Sequence, residues 1–466
     1  MTARPKEVKQ IVADPVAAAV AGISDLASTH LHVTIDLPGR LEPELLHQAI
    51  RAISLAAPEL AGRLRWGWWR SCWEIDPAAQ WLLDEHHGVD LVRAAELEAG
   101  LFARPFRPYG TLPLELVLLH LEQHDRLLLR VSHLLADGGG TKNLLYRLAT
   151  AYRELRADPG WLPPAAARRR HPLTRLLAAA RTMPWRRLLH GLLDELRTLL
   201  SDPFVFVPMP CPGPDPGPDR FAALHLGRER VARLQAGWKE HGVTLNDLAL
   251  VAMARALERL HGDNAGQPGK VGLVVTADLR RYLPAEEDLG NLSSLCSLLL
   301  SPRPLPAAPA LVERVVAATR RWKRGGTGLA NSLLAVLTAS LLPHGAVRWI
   351  GRSFVGMAIR SGKRVALTNI GPIDERRLDF GDGSCQAARI ISPVAHPPML
   401  ITALTGCAGA LDFTLSWQQG SLPPEQPGAL LDALDAELEM LEARRAEGMV
   451  SERQLDRREP VAAGTG

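Results

Sequence analysis

Three things are scarce in this chain, and each scarcity excludes something. Cysteine is the first. The 466 residues hold five, at positions 72, 211, 296, 385 and 407. They are scattered, with neither the paired spacing of a zinc site nor the density of a disulfide framework, which argues against a metal centre and suits a reducing cytoplasm. Charge of one sign is the second. The formal net charge is only +4, too small to imply nucleic acid. Long hydrophobic runs are the third. The opening MTARPKEVKQIVADP lacks the apolar core of a secretory signal. The longest weakly polar run, Leu329 to Leu342, is shorter than the ~20 residues a spanning helix needs. A soluble, cytoplasmic protein is expected, at most peripheral to a membrane.

The composition that remains is 47% hydrophobic and 22% charged, ordinary for a globular protein and ample for two or three core-forming units. Residues 31–37, LHVTIDL, alternate as a strand, and Glu42 to Ala56 follows at helical spacing. The segment WGWWRSCWEI reads as a strand whose Trp66, Trp68, Trp69 and Trp73 serve core and hairpin packing. Leu114 to Leu121 and Leu127 to Val131 form a hairpin. From Arg156 to Pro218 prolines accumulate, and a linker with one helical insert is expected. Ala165 to Leu200 carries eight arginines against Asp194 and Glu195 in an amphipathic pattern, fit for an anionic membrane surface, an acidic partner, or packing on the second half. Beyond Phe221, strands and helices alternate again. A long central helix follows Thr244 or Asn246, and RLDFGDG, CQAARIISPV and MLITALTGCAGALDFTLSWQ are three strand-like runs. Leu430 to Ala446 is a last helix, and the polar tail from Ser451 is expected to be disordered.

The richest stretch is Leu127 to Lys142, LLLRVSHLLADGGGTK. A buried strand ends at a histidine, a carboxylate follows four residues on, and three glycines open a helix. Neutral His133 suits proton abstraction near its ordinary pKa of ~6.5. Asp137 could orient the loop or fix the ring, and the glycines leave room for a substrate to approach. There is no GxSxG elbow and no cysteine in the motif, so no enzyme nucleophile is evident.

Several landmarks then agree in order. SHLLADG resembles the HHxxxDG motif of the acyltransferases that depend on coenzyme A or a carrier protein. That superfamily takes in condensation domains, wax-ester synthase/diacylglycerol acyltransferases, alcohol acetyltransferases and polyketide-associated acyltransferases. LNDLALVA, DLRRYLP followed by LGNLSS, TNIGP, and PELAGR resemble its other segments, over roughly residues 25 to 445. Ser132 stands where the family's first histidine would be, which favours acyl transfer generally over peptide-bond formation.

The resemblance implies an α/β (α+β) fold: two chloramphenicol-acetyltransferase-like subdomains in a V-shaped pseudo-dimer with a central tunnel. The boundaries expected are 1–158 and 221–450 for the subdomains, 159–220 for the linker and 451–466 for the tail. It implies a free-standing, monomeric acyltransferase that moves an acyl group from a thioester, acyl-CoA or acyl-carrier protein, to a hydroxyl or amine of a small molecule or lipid. His133 would be the general base. Asp137 would be structural, paired with Arg280, while Ser132, Gly138, Gly139 and Asn369 would face the donor. No metal and no cofactor is implied, the thioester being the substrate. The alternatives are a trans-acting condensation enzyme of peptide or polyketide biosynthesis, and a relative that binds acyl groups or a partner without turnover.

Overall fold

The structure, a computed structural model, describes residues 9–22, 24, 27–105, 107–164, 172–200, 217–260, 271–283, 289–300, 304–360, 365–397 and 399–443. The expected tail and Cys211 lie outside the described residues. The first half comprises β1 (Lys9–Val12), α1 (Pro15–Gly22), β2 (His30–Leu37), α2 (Pro43–Ala56), β3 (Gly62–Arg65), β4 (Cys72–Ile75), β5 (Leu83–Val89), α3 (Leu91–Ala103), β6 (Leu114–Leu121), β7 (Asp125–Ser132) and α4 (Gly138–Ala157). Between the halves run α5 (Pro172–Arg181) and α6 (Trp185–Leu200). The second half holds β8 (Asp219–Leu226), α7 (Arg228–Ala236), α8 (Leu245–Leu260), β9 (Val271–Asp278), β10 (Ser293–Leu300), α9 (Ala308–Gly325) and α10 (Thr327–Leu341). It continues with α11 (His344–Arg360), β11 (Val365–Ile373), β12 (Ala387–Ile391), β13 (Leu400–Cys407), β14 (Ala410–Gln418) and α12 (Gln426–Ala443).

Each half is built on its own sheet. The five-stranded sheet runs β12-β2-β7-β6-β5 and the six-stranded one β10-β9-β11-β13-β14-β8. β7 is central and buried on both faces, which is why its sequence is a continuous apolar run rather than an alternation. Leu127, Leu129 and Val131 pack into the core with Leu46, Leu144 and Leu148 of α2 and α4, while Leu128 joins Leu101 of α3 on the other side. In the second half α8 is buried along nearly its whole length and packs with α12 and α9 over the six-stranded sheet. Thr244 and Asp247 close a reciprocal cap at its start: Asp247 Oδ2 accepts from Thr244 N, and Thr244 Oγ1 accepts from Asp247 N. The two sheets are not independent. β12, from the second half, pairs antiparallel with β2 at the edge of the first sheet, so the chain returns across the seam between them.

Several local expectations differ from the structure. WGWWRSCWEI is not one strand: β3 and β4 flank a turn over residues 66–71, so Trp66, Trp68 and Trp69 are exposed and only Trp73 is core. The segment between the halves carries two helices rather than one, because Pro184 cannot continue α5. RLDFGDG leaves a 3-10 turn over Glu375–Arg377 and makes only an isolated bridge, Asp379 to Ser384, instead of a strand. The run from Met399 to Gln418 is a hairpin whose turn, Ala408 at φ 48° and Gly409 at φ 83°, has both central residues left-handed. Cysteines scattered in sequence also meet, for buried Cys385 and Cys407 have sulfurs 4.0 Å apart.

β2 contributes a buried polar row. His30 and His32 stand opposite Ser132 and Arg130 of β7, with ring centroids 4.7 Å apart. Burial first, and the Arg130 charge with it, holds both imidazoles well below the ordinary histidine pKa; for His32 the neighbouring His30 adds to this. Both stay neutral in the fold while the unfolded chain takes up protons below pH ~6.5, so stability must fall as pH drops below that value. The slope is up to ~1.4 kcal/mol per pH unit for each histidine. Denaturant midpoints measured from pH 7 to 5 should fall accordingly, and His32→Phe should flatten the profile. An unchanged slope in that variant would contradict the assignment.

Candidate functional site

β7 delivers His133 to the seam. The strand ends at Ser132, whose N–H still donates to Pro113 O at 2.8 Å, and His133 N donates to Thr29 O at 2.8 Å, anchoring the turn on the start of β2. The ring of His133 meets Asn291, from the loop before β10. Asn291 Nδ2 donates to the His133 carbonyl at 2.8 Å, and Asn291 Oδ1 lies 3.0 Å from His133 Nδ1. These two contacts decide the tautomer. A carbonyl only accepts, so the Asn291 amide must present NH₂ to it, which leaves Oδ1 facing the ring. An oxygen there requires a proton on Nδ1. Neutral His133 therefore carries its lone pair on Nε2, which is left as the ring's proton-accepting nitrogen.

Asp137 sits four residues on and is buried. It caps α4, Oδ1 accepting from Gly140 N at 2.7 Å. The remaining bonds of its carboxylate all reach the second half. Arg280 Nη2 lies 2.9 Å from Oδ1 and Nη1 3.2 Å from Oδ2, while Leu292 N and Ser293 Oγ each donate to Oδ2 at 2.7 Å. Burial alone would raise this carboxyl's pKa, but the Arg280 charge and these hydrogen bonds outweigh it and hold Asp137 below the usual carboxylate range. Arg280 in turn donates to Gly290 O at 2.6 Å and to Asp278 Oδ1 at 3.3 Å. One carboxylate thus ties α4, the arginine loop after β9 and the start of β10 together. With no spare lone pair in the fold's interior, its chemistry is positional.

The glycines are as tightly used. A Cβ on Gly139 would collide with the Arg280 guanidinium, and one on Gly140 with the Leu289 carbonyl; on Gly138 it would press on Ile370 at 3.0 Å. The room these glycines leave is filled by the second half, not held open for a substrate. Lys142, one turn into α4, adds a further tie by donating to Ile370 O at 2.6 Å and to Pro372 O at 3.3 Å.

The other expected site residues fall differently. Ser132 is buried and its Oγ accepts from Leu134 N at 3.3 Å, so the hydroxyl shapes the turn that carries His133. Asn369 spends its amide within the second half: Nδ2 donates to Asn246 Oδ1 at 2.9 Å, and Oδ1 accepts from Gly371 N at 2.8 Å across the β11 bulge. The structure brings together His133, Asp137, Arg280, Gly138 and Gly139. The residue missed from sequence is Asn291. Its signal was present in LGNLSS, but nothing local says that this amide reaches a histidine 158 positions away. At the other end of the hairpin, away from this site, Glu85, His87 and His120 gather with ligand atoms within 4.8 Å of one another.

No family model matches the chain, and no curated protein matches it by sequence. Solved structures do. The first condensation domain of the calcium-dependent antibiotic synthetase, in complex with a substrate analogue, superposes with a TM-score of 0.68 at 18% identity, covering 96% of this chain and 100% of that one. The fold is that of a condensation domain. The same architecture appears in the epimerization domain from the third module of tyrocidine synthetase B, with a TM-score of 0.66, 13% identity and coverage of 94% and 99%. It appears again in polyketide synthase associated protein 5 from Mycobacterium tuberculosis, with a TM-score of 0.62, 17% identity and coverage of 93% and 99%. On this condensation-domain fold, two chloramphenicol-acetyltransferase-like subdomains form a pseudo-dimer, and the His133 turn lies where they meet.

The seam is testable by stability alone. Asp137→Asn should cost about 3–5 kcal/mol at pH 7, the usual penalty for breaking a buried pair. The depressed carboxyl contributes fully above its unfolded pKa near ~3.9 and loses that contribution as pH falls through its folded value. The gap between wild type and variant should therefore close below pH ~4; a gap that stays constant would mean the charge is not what matters. Gly140→Ala should destabilise by about 1–3 kcal/mol, because a backbone carbonyl cannot yield. Gly100→Ala, in α3 with nothing within 4 Å of the new methyl, should instead stabilise by about 0.5–1 kcal/mol. Chemical denaturation of the three variants checks both signs.

Proposed function

We propose that this protein is an acyltransferase that moves an acyl group from a thioester to a hydroxyl or amine, with His133 as general base. The observation that carries the proposal is the Asn291–His133 contact, which fixes the lone pair on Nε2 at the junction of two condensation-like subdomains. In this reading the acceptor approaches Nε2 and gives up its O–H or N–H proton as its oxygen or nitrogen attacks the thioester carbonyl. The tetrahedral intermediate then expels sulfur, and the thiol leaves with the proton that His133 had taken. Atoms and charges balance, and the enzyme itself is never acylated, in keeping with the absence of a nucleophile from the motif.

The donor is a pantetheine thioester, presented either on coenzyme A or on a carrier protein. Solved structures of the same fold include condensation, epimerization and cyclization-docking domains, which favours a carrier-bound donor as much as a free one. The acceptor is a small-molecule or lipid alcohol or amine. Holding both substrates at one base supplies much of the rate through proximity. Asp137 and Arg280 would act by keeping the base and Asn291 in register, not by touching substrate.

Thiol release is the decisive measurement, from acyl-CoAs and then from acyl-carrier proteins, each with and without alcohols and amines. His133→Ala should lower turnover by about 10²–10⁴-fold. Asn291→Ala should lower it less, by about tenfold, since it loses orientation but keeps the base. Asn291→Ala with full activity would remove the tautomer argument. Wild-type protein that releases no thiol from either donor class would leave the binding relative as the better description.

A further inference from the structure

Hydrophobic side chains are not spread evenly over this surface. Twenty large apolar residues are exposed among the described residues, and thirteen belong to one region made of the β3–β4 turn, α5, α6, α10 and α11. Every exposed tryptophan is among them: Trp66, Trp68 and Trp69 in the turn, Trp185 on α6 and Trp349 on α11. Single exposed apolar residues need no explanation, but a contiguous patch of this extent marks a contact surface.

The elements of the patch are bound to each other. α6 and α5 pack against α10. Both α6 and α10 are seated on β10 by other residues, Ser297 Oγ donating to Glu195 Oε1 at 2.7 Å and Asn331 Nδ2 to Leu295 O at 3.1 Å. This leaves outward a stripe on each: Trp185, Leu189, Leu193 and Leu196 on α6, and Leu334, Leu337 and Leu341 on α10, all at helical spacing. Arg70 joins the tryptophan turn to the end of α10, donating to Ser340 O at 2.9 Å and Leu342 O at 2.7 Å. Gly345 N donates to Trp68 O at 2.9 Å, and the Arg348 guanidinium sits 5.6 Å from the centre of the Trp66 ring, so the start of α11 is clamped to the same turn. The extreme tips are the most open, with Trp69 71%, Leu341 72% and Trp349 70% exposed.

Charge then selects the occupant. Residues 314–373, sixty in a row, contain no Asp or Glu and ten Lys or Arg. They include all of α10 and α11. On α6, exposed Arg186, Arg187 and Arg197 border the apolar stripe; Asp194 lies beside Arg197 at 3.4 Å, and Glu195 is turned in toward β10. Apolar stripes edged by arginine, tryptophan at the periphery and a neighbouring α10–α11 stretch without acids suit a surface that sinks partway into an anionic bilayer. No helix of the described residues is long and apolar enough to cross one, which fits seating in the interface rather than insertion.

We propose that the β3–β4 turn, α6, α10 and α11 together form a docking surface for an anionic lipid bilayer. The inference does not depend on the chemistry at His133. Its test is co-sedimentation of the full chain with vesicles of phosphatidylcholine alone or of phosphatidylcholine with phosphatidylglycerol, at low and high salt. Binding should require the anionic lipid and weaken with salt. Leu341→Glu and Trp349→Glu, alone and together, should each lower the partition by about tenfold or more, while melting temperature stays near that of wild type, since both side chains are in solvent. As a second readout, brominated lipid should quench tryptophan fluorescence in wild type. No binding to anionic vesicles would overturn the proposal, as would binding that the double variant leaves unchanged. Sedimentation velocity covers the rival occupant: a dimer that Leu341→Glu dissociates, in a protein that ignores vesicles, would assign the face to a second copy of this chain.

Discussion

The Asp137 carboxylate is shared between two halves of the fold, each built around its own sheet but joined where β12 crosses to the first. A buried charge is tolerated only when it is paired and its lone pairs are satisfied, and here the partners come from both sides of the seam. Gly140 N belongs to the first half, while Arg280, Leu292 N and Ser293 Oγ belong to the second. The halves therefore cannot slide or separate without stranding a charge. That constraint positions Asn291, one residue before Leu292, and through Asn291 it sets the orientation of His133. The orientation of His133 thus rests on an ion pair buried at the seam.

The glycines serve the same constraint. A helix start carrying side chains could not be pressed against Arg280 and the Leu289 carbonyl, and without that approach Asp137 would not reach its partners. Lys142 and the return of β12 to the edge of the first sheet add ties that do not depend on charge in the same way. Redundancy of this kind suits a site assembled from two lobes, where a small misplacement of His133 would undo its contact with Asn291.

Viewed from the seam, the outer surface has a different logic. The tryptophan turn and the helices around α10 expose a cluster of apolar groups in a basic setting, a combination that marks a contact surface. If that face meets a bilayer, a lipidic acyl donor or acceptor becomes a natural substrate for the proposed reaction.

Much of this was legible in the residues themselves. The apolar run of β7, ended by turn residues, announces a buried strand with a histidine at its tip, because burial on both faces demands continuous hydrophobicity. The amphipathic spacing of α2 and of α12, and the Thr244–Asp247 cap of α8, are likewise local chemistry read locally. The order of the motifs, weak one by one, pointed to the two-lobed α/β fold. Other features depend on what lies across space. Whether Trp68 and Trp69 pack inward or face solvent depends on where the β3–β4 turn falls, and the same alternation fits either register. Whether three glycines hold a pocket open or admit a neighbouring backbone depends on what stands opposite. Which nitrogen of His133 carries the proton depends on an amide 158 residues away. Periodicity and caps act over a few residues and so are written in the chain, whereas the tautomer of a histidine and the occupant of a gap are decided by contacts that exist only once the two halves have closed.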